Sequence, residues 1–395
     1  MDIERLKSQI ISAIDAHHEE ICELSRKIHD NPELGFYEYK AVEWLTGFLE
    51  NHGFSVEKGI FDLDTAFSAR YGQGEPVIAL LAEYDALPEL GHACGHNIIA
   101  AASTGAGMAA KTAVDQCGGT VLVIGTPAEE VYGGKVTMAQ RGAFDGMDAA
   151  MMVHPGSYDY VATEALACQG LSVEFFGKAS HAAGKPESGI NALEAMIQSF
   201  NAINSLRQHI RSKARIHGII TDGGEAPNIV PDHSAASFLV RADTEAYLAE
   251  LKQRVVNCFQ GAAMCTGAQL KYQWDELGYA PMLNNLTMGR LFMNNMHKIG
   301  RKMKMEGPGE GFGSTDFGNV SQLVPGIHAL VSITSCRGIV THSPQFAEAA
   351  ISDIGLQGMI DAAKALAMTT ADLLADPALL SKIKSEFFRY QNTSG

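Results

Sequence analysis

The sequence predicts an α/β protein: a catalytic domain built as a mostly parallel-sheet sandwich, with an inserted ferredoxin-like α+β domain. Apolar strand patterns alternate with helical patterns in the first part of the chain, which is typical of a parallel sheet. The order of elements then changes to β-α-β-β-α-β, which is the ferredoxin-like unit. At 395 residues the chain also exceeds one ordinary core, so two domains are expected.

The chain begins with helical patterns. Apolar residues recur at helical spacing over residues 3–28, which predicts one amphipathic helix. The segment from His29 to Glu33 contains Pro32 and ends that helix. A second helix follows, and a further helix is predicted over residues 98–111 between two buried strands.

Three apolar strand patterns end in side chains that can bind a metal ion or transfer a proton. They are residues 77–81 before Glu83 and Asp85, residues 121–125 before Glu129 and Glu130, and residues 149–153 before His154. In open α/β sheets the ligand crevice lies beyond the carboxyl ends of the strands. The three strand ends are therefore expected to meet at one site.

The pattern changes at about residue 168. Elements in the ferredoxin-like order are predicted at residues 171–176, 191–206, 216–221, 234–240, 244–259 and 270–274. The first sheet resumes at residues 327–334, and one long helix over residues 345–368 closes the main domain. We therefore assign residues 1–167 and 278–395 to the catalytic domain and residues 168–277 to the inserted domain.

Composition excludes several classes of function. The net charge of −15 argues against a nucleic-acid partner, because neutralising phosphates requires clustered Lys and Arg. No apolar run is long enough to span a bilayer, and the first residues lack the features of a secretory signal. We therefore expect no membrane partner. Seven cysteines without framework spacing are most simply reduced thiols, which favours a cytoplasmic location.

Cys94 and His96 form the sharpest candidate metal pair. A thiolate two residues from an imidazole can ligate one metal ion, or its sulfur can bridge two. Gly91 and Gly95 flank the pair. Two alternatives stay open, namely a buried structural thiol and a nucleophilic Cys94 with His96 as its base. The nucleophile is less favoured, because Glu129 already offers a base and further candidate ligands are present.

Glu129 and Glu130 are adjacent carboxylates at a strand end. If the backbone is extended there, their side chains point to different sides, so one can ligate a metal while the other holds a water. Neighbouring carboxylates repel each other unless a cation lies between them. An exposed acidic turn is the alternative. Taken alone, the sequence around His154 or His342 does not indicate a metal ligand. Only the fold can bring these two histidines close to Cys94, His96 and the glutamates.

Eight segments spread nearly end to end carry a family resemblance: His29-Asp30-Asn31-Pro32-Glu33-Leu34, Asp85-Ala86-Leu87-Pro88, His92-Ala93-Cys94-Gly95-His96, Pro127-Ala128-Glu129-Glu130, His154-Pro155, Gly177-Lys178-Ala179-Ser180-His181-Ala182, Asn228-Ile229-Val230-Pro231-Asp232 and Ser314-Thr315-Asp316-Phe317. The chain resembles the aminoacylase/hippuricase-type co-catalytic metallopeptidase family, in its amidohydrolase branch. Within that branch it is most similar to dipeptidases acting on Xaa-Arg or β-alanyl-lysine substrates.

The resemblance implies two divalent ions, Zn or Mn, in each subunit. The residues that match the metal ligands are Cys94, His96, Glu130, His154 and His342. Cys94 would bridge the ions, Glu129 would be the catalytic base, and Asp85 would orient a histidine ligand. Asn97 departs from the more usual Asp of the wider branch, which limits any role there to hydrogen bonding.

The resemblance also implies that the inserted domain is a lid and dimerisation domain. In dimeric relatives the residue matching His181 reaches the partner subunit's site and stabilises the developing oxyanion. Asn228 and Arg241 are candidates for holding the substrate carboxylate, and a solvated charge at the end of a strand is the alternative for Arg241. A homodimer acting on a small amide or dipeptide is therefore expected.

Three functions are compatible with these residues. The first is a metal-dependent amidohydrolase cleaving the amide bond of a dipeptide or an N-acyl amino acid. The second is an aminohydrolase acting on an aromatic amine with the same metal site. The third is a non-catalytic metal-binding homodimer, against which the intact Glu129 argues, because a site without turnover does not require a base beside its ligands.

Overall fold

A computed structural model describes residues 2–307 and 313–393 of the chain. These residues divide into two compact units. Unit 1 contains the residues up to Glu164 and those from Met282 onward, and unit 2 is Ala165–Pro281. Unit 2 thus interrupts unit 1 in the sequence. The predicted α/β class is confirmed.

The strands and helices alternate through most of unit 1. In chain order the strands are β1 (Ser55–Lys58), β2 (Phe67–Gln73), β3 (Val77–Glu83), β4 (Gly119–Thr126), β5 (Ala149–Gly156), β6 (Tyr160–Ala162), β7 (Ala167–Phe176), β8 (Arg215–Asp222), β9 (His233–Ala242), β10 (Gln269–Tyr279), β11 (Lys304–Glu306) and β12 (Gly326–Ser332). The helices are α1 (Ile3–Ala16), α2 (His18–Asp30), α3 (Tyr39–Asn51), α4 (His96–Cys117), α5 (Glu129–Tyr132), α6 (Gly134–Gln140), α7 (Ala192–Leu206), α8 (Glu245–Thr266), α9 (Leu286–Lys298), α10 (Phe317–Ser321), α11 (Pro344–Ala350), α12 (Asp353–Ala375) and α13 (Pro377–Thr393).

The large sheet of unit 1 has the strand order β1-β2-β4-β3-β5-β12-β6-β11. Its central strands β4, β3, β5 and β12 run parallel to one another. Their carboxyl ends therefore lie along one edge, which is where ligand sites form in open α/β sheets. Strands β1 and β2 extend the sheet in the antiparallel sense.

The sheet is buried on both faces. On one side, residues such as Leu80 and Val123 pack in a core with helices α1, α2, α3, α4, α9 and α12. On the other side, Leu81 and Ile124 pack in a second core with residues of α6 and α10. Successive residues of one strand thus enter opposite cores, which explains the uninterrupted apolar runs in the sequence.

Unit 2 contains a separate antiparallel sheet in the order β10-β7-β9-β8. Its own core joins the inward side chains of these strands to helices α7 and α8. The chain order β7-α7-β8-β9-α8-β10 confirms the predicted ferredoxin-like sequence of elements.

Two predicted helices are each divided in the structure. The helix predicted over residues 3–28 is interrupted at His17, whose Nδ1 donates a hydrogen bond to the carbonyl of Ala13 at 2.9 Å. The helix predicted over residues 345–368 is interrupted at Ser352, whose hydroxyl caps α12 by accepting a hydrogen bond from Gly355 N at 3.1 Å. Apolar periodicity continues across both breaks and so did not show them. Within the described ranges, no helix has the length and apolar character needed to cross a membrane.

Candidate metal centre

The loop before α4 brings Cys94 to the end of β5. Gly95 has a φ of +77°, and a Cβ atom at this position would lie 2.5 Å from Cγ of Pro155. Both the positive φ and the close approach require glycine. Gly95 therefore allows the Cys94 loop to pack directly against the strand end that carries His154.

Cys94, His96 and His154 form a first cluster. Their candidate ligand atoms all lie within 4.8 Å of one another. Cys94 Sγ is 3.5 Å from His154 Nε2, while His154 Nδ1 donates a hydrogen bond to the carbonyl of Pro155 at 2.8 Å. That bond leaves the lone pair of Nε2 directed towards the thiol, which is the tautomer that a metal-binding histidine requires.

Cys94, Glu130 and His342 form a second cluster with the same spacing limit of 4.8 Å. Glu130 Oε2 lies 3.4 Å from His342 Nε2. His342 is held by its backbone N–H, which donates to the carbonyl of Ala93 at 2.8 Å. Cys94 belongs to both clusters. The arrangement therefore offers two neighbouring ligand sets that share one sulfur.

The two adjacent glutamates enter different clusters, because Glu129 lies with Glu83 and His96 while Glu130 lies with Cys94 and His342. Glu129 begins the short helix α5, and Ala128 before it has the left-handed φ of 59°. The condition of an extended backbone is therefore not met at these two residues. Two carboxylates hold the turn, since Glu38 accepts a hydrogen bond from Ala128 N at 2.8 Å and Asp85 accepts one from Glu130 N at 3.0 Å.

Asp85 also contacts the histidine of the first cluster. Its Oδ1 accepts a hydrogen bond from His96 Nδ1 at 3.0 Å. Asp85 thus links His96 and the backbone of Glu130, one member of each ligand set. Because the contact occupies Nδ1, the Nε2 atom of His96 is the one presented to the cluster.

The centre contains a local excess of carboxylates. Burial raises the pKa of Glu129 well above its ordinary value, and the negative charges of Glu83 and Asp316 raise it further. Burial alone would lower the pKa of His96, but Glu83 and Asp85 raise it well above its ordinary value. Burial raises the pKa of the Cys94 thiol. A bound cation would relieve this charge imbalance.

The donor atoms fit divalent ions. His96 Nε2 and Glu130 Oε1 are buried and have no hydrogen-bond partner among the residues that the structure describes. Buried polar atoms normally have a partner, so these two require one. Thiolate and imidazole suit zinc, and carboxylate and imidazole suit manganese as well.

Three further charged residues adjoin the centre. Lys135 and Asp316 were not predicted there, whereas Glu83 was expected there as one of the polar strand ends. Lys135 has no exposed surface, and its Nζ is ion-paired with Glu83 and, at 2.8 Å, with Asp316. Burial would raise the pKa of Glu83, but the charges of Lys135, His96 and His154 together lower that pKa to about 2. Glu83 carried a signal because it ends an apolar strand. A lone lysine after two glycines carries none.

The three predicted substrate-binding residues lie in unit 2. His181 is exposed, and its Nδ1 accepts hydrogen bonds from the backbone N–H groups of Ala183 at 3.2 Å and Gly184 at 3.0 Å. Asn228 is exposed, and Arg241 is half-buried on β9. Their roles stay predictions.

The model of the peptidase family M20/M25/M40 matches residues 79–357. Xaa-Arg dipeptidases from Mus musculus and Homo sapiens are each 36% identical, over 98% of this chain and 93% of theirs. A p-aminobenzoyl-glutamate hydrolase chain from Escherichia coli (strain K12) is 30% identical over 97% of this chain and 95% of its own.

The fold is also similar to a solved structure. A dinuclear metal binding peptidase of the M20 family from Bacillus subtilis superposes with a TM-score of 0.70 at 21% identity. The match covers 91% of this chain and 99% of that one. Identity at this level supports the similarity of fold alone.

Proposed function

The chain belongs to the peptidase family M20/M25/M40, and from that membership we propose that it is a metal-dependent hydrolase of the amide bond in dipeptides or N-acyl amino acids. The observation that supports this function best is the position of Cys94. Its sulfur is common to the cluster with His96 and His154 and to the cluster with Glu130 and His342. Two ligand sets that share a sulfur suit a pair of divalent ions.

These five side chains are the proposed ligands, and the ions are Zn or Mn. When bound, such ions polarise a carbonyl group and acidify water. The protein contributes orientation. Asp85 fixes the ring of His96 through Nδ1 at 3.0 Å, and the carbonyl of Pro155 fixes His154 in the same way at 2.8 Å. Both Nε2 atoms are thereby directed to the cluster.

Glu129 is the proposed general base. One of its carboxylate oxygens forms a cluster with candidate ligand atoms of His96 and Glu83, and these three atoms lie within 4.8 Å of one another. In this role its carboxylate accepts a proton from the attacking water and later delivers it to the leaving nitrogen. Burial and the other carboxylates raise the pKa of Glu129, and the positive charge of a bound metal ion would oppose that rise and favour the ionised carboxylate that accepts the proton.

His181 is the proposed donor to the oxyanion. Because backbone N–H groups donate to its Nδ1, the ring carries its proton on Nε2. An exposed imidazole N–H of fixed tautomer suits this role. Asn228 and Arg241 are the proposed contacts of the substrate carboxylate, since a guanidinium matches carboxylate geometry.

A homodimer in the cytoplasm is the proposed form of the protein. Strand β8 lies at the edge of its sheet and carries two exposed apolar side chains, Ile219 and Ile220. An exposed apolar edge strand is a natural surface for pairing with a second copy. None of the cysteines forms a disulfide within the described residues, as suits a reducing compartment. Light scattering on a sizing column measures the oligomeric state.

Dipeptides with a basic leaving residue are the first proposed substrates. The relatives at 36% identity are named for Xaa-Arg dipeptides. An aromatic amide is the second candidate, favoured by the relative that is named for p-aminobenzoyl-glutamate.

A substrate screen of the purified, metal-loaded chain tests the function. The panel contains Xaa-Arg and β-alanyl-lysine dipeptides, N-acetyl amino acids, p-aminobenzoyl-glutamate and aromatic amines, with products identified by mass. Release of free arginine or lysine supports the dipeptidase. Cleavage of aromatic conjugates alone favours the second candidate. Loss of ammonia from an aromatic amine would instead make the protein an aminohydrolase, and no turnover would leave a metal-binding homodimer.

A further inference from the structure

The carboxylate of Glu83 has two oxygens in different surroundings. The side chain is 1% exposed at the end of β3. Oε2 is ion-paired with Lys135. Oε1 is buried and has no hydrogen-bond partner in the described part of the chain. A buried carboxylate oxygen without a partner is rare, so Oε1 requires an explanation.

The orphan oxygen faces the ligand atom of His96. Glu83 Oε1 lies 3.1 Å from His96 Nε2, yet neither atom makes a hydrogen bond within the described residues. Nδ1 of the same ring is occupied by Asp85. The two atoms lie within ion-pairing distance but without hydrogen-bond geometry, so both can be donated to one cation. Glu130 Oε1, also without a partner, lies 3.7 Å from the same Nε2.

We propose that Glu83 is an additional metal ligand, which binds through Oε1 the ion that His96 binds through Nε2. This inference rests on the metal centre of the proposed function. Lys135 holds Oε2 and leaves Oε1 for the ion. Asp316 is the second carboxylate on Lys135, with Oδ1 2.8 Å from Nζ and Oδ2 accepting from the backbone N at 2.9 Å. Glu83 and Asp316 thus share the ammonium group of Lys135. Both oxygens of Asp316 accept hydrogen bonds from Lys135, whereas Oε1 of Glu83 lies 3.1 Å from His96 Nε2.

A carboxylate as the sixth ligand alters the preference of the site between zinc and manganese. The cluster of Cys94, His96 and His154 contains only sulfur and nitrogen donors, which favour zinc. A carboxylate oxygen is a harder donor and favours manganese. Removal of its charge should therefore weaken manganese binding more than zinc binding.

Metal titration of the full chain tests the proposal. The wild type, Glu83→Gln and Asp316→Asn are stripped with a chelator and dialysed against buffered Zn²⁺ or Mn²⁺, and bound metal per chain is measured by atomic emission. We expect two ions in the wild type and in Asp316→Asn. In Glu83→Gln the affinity for one ion should fall by at least about tenfold, and more for Mn²⁺ than for Zn²⁺.

Asp316→Asn is the matched control, because it removes the charge of the other carboxylate on Lys135. An equal loss of metal in both variants would show that Glu83 acts only through folding, and would overturn the proposal. So would two ions of wild-type affinity in Glu83→Gln, although the proposed function would then stand. A wild type that binds fewer than two ions would instead contradict the proposed function itself.

A second variant covers the case in which Glu83→Gln does not fold. Glu83→Asp keeps the negative charge beside Lys135 but shortens the side chain by one methylene. We expect it to fold and to show the same selective loss of one ion. Wild-type affinity for both ions in this variant would contradict ligation by Glu83.

Discussion

The thiol of Cys94 lies 3.5 Å from Nε2 of His154, although the two residues are 60 positions apart in the sequence. The carboxyl end of β5 carries His154, and the glycine after Cys94 lets its loop approach that end. The parallel sheet thus brings together two candidate ligands that no local motif contains. The same thiol also faces Glu130 and His342.

Glu129→Gln should abolish most of the turnover and preserve metal binding. The amide keeps the shape of the side chain but cannot accept a proton. General-base catalysis is worth about 10²–10⁴ in rate, so kcat should fall by that factor. Steady-state kinetics and bound metal per chain are measured together. Glu57→Gln, at an exposed site on β1, is the control. Full activity in Glu129→Gln would show that another residue is the base.

His181→Ala should lower kcat while the metal content stays at two ions. Loss of one preorganised oxyanion donor costs about 10²–10³ in kcat. His209→Ala, another exposed histidine of unit 2, should retain wild-type kinetics. If both variants have the same kcat, His181 has no part in the reaction.

Lys135→Met should destabilise the protein strongly. The change leaves Glu83 and Asp316 buried without their cation, and breaking a buried ion pair costs about 3–5 kcal/mol of unfolding free energy. Lys27→Met removes a pair on the surface and should cost no more than about 0.5 kcal/mol. Denaturant titration measures both. A loss of unfolding free energy below about 1 kcal/mol in Lys135→Met would show that the ion pairs of Lys135 with Glu83 and Asp316 are not required for stability.

His328 should make the fold sensitive to acid. Burial lowers its pKa to about 3, against an ordinary value of 6.5 in the unfolded chain. Between these pH values the unfolded chain binds more protons at this residue than the folded chain does. The contribution of His328 to the free energy of unfolding is therefore fully present above about pH 6.5 and is lost as the pH falls towards 3. At pH 5 the loss is about 2 kcal/mol.

Denaturant unfolding at pH 7.5 and pH 5 measures this contribution. In His328→Leu, the difference in the free energy of unfolding between pH 7.5 and pH 5 should be smaller than in the wild type by about 2 kcal/mol. His18→Gln, at an exposed position, should leave it unchanged. An unchanged difference in His328→Leu would show that this ring is not a source of the acid sensitivity.

The sequence predicted the layers of the fold and the strand ends that form the centre. Polar residues after the apolar runs of β3, β4 and β5 indicated the site, because parallel strands end at one edge. It did not show the breaks at His17 and Ser352, since local hydrogen bonds end those helices while the apolar spacing continues.

Other features depend on contacts between distant residues. His342 lies on the loop after β12, and a backbone hydrogen bond to Ala93 fixes it there. Lys135 acquires its meaning only from burial between Glu83 and Asp316. The turn at Ala128 depends on Glu38, 90 positions earlier. No spacing rule within one segment contains such relationships.

The most direct test of the shared thiol is anomalous X-ray diffraction from crystals of the metal-loaded chain, recorded at the absorption edge of the bound metal. Two neighbouring peaks are expected, with Cys94 Sγ coordinating both, His154 at one and His342 at the other. A single peak, or a thiol that coordinates neither ion, would contradict this arrangement.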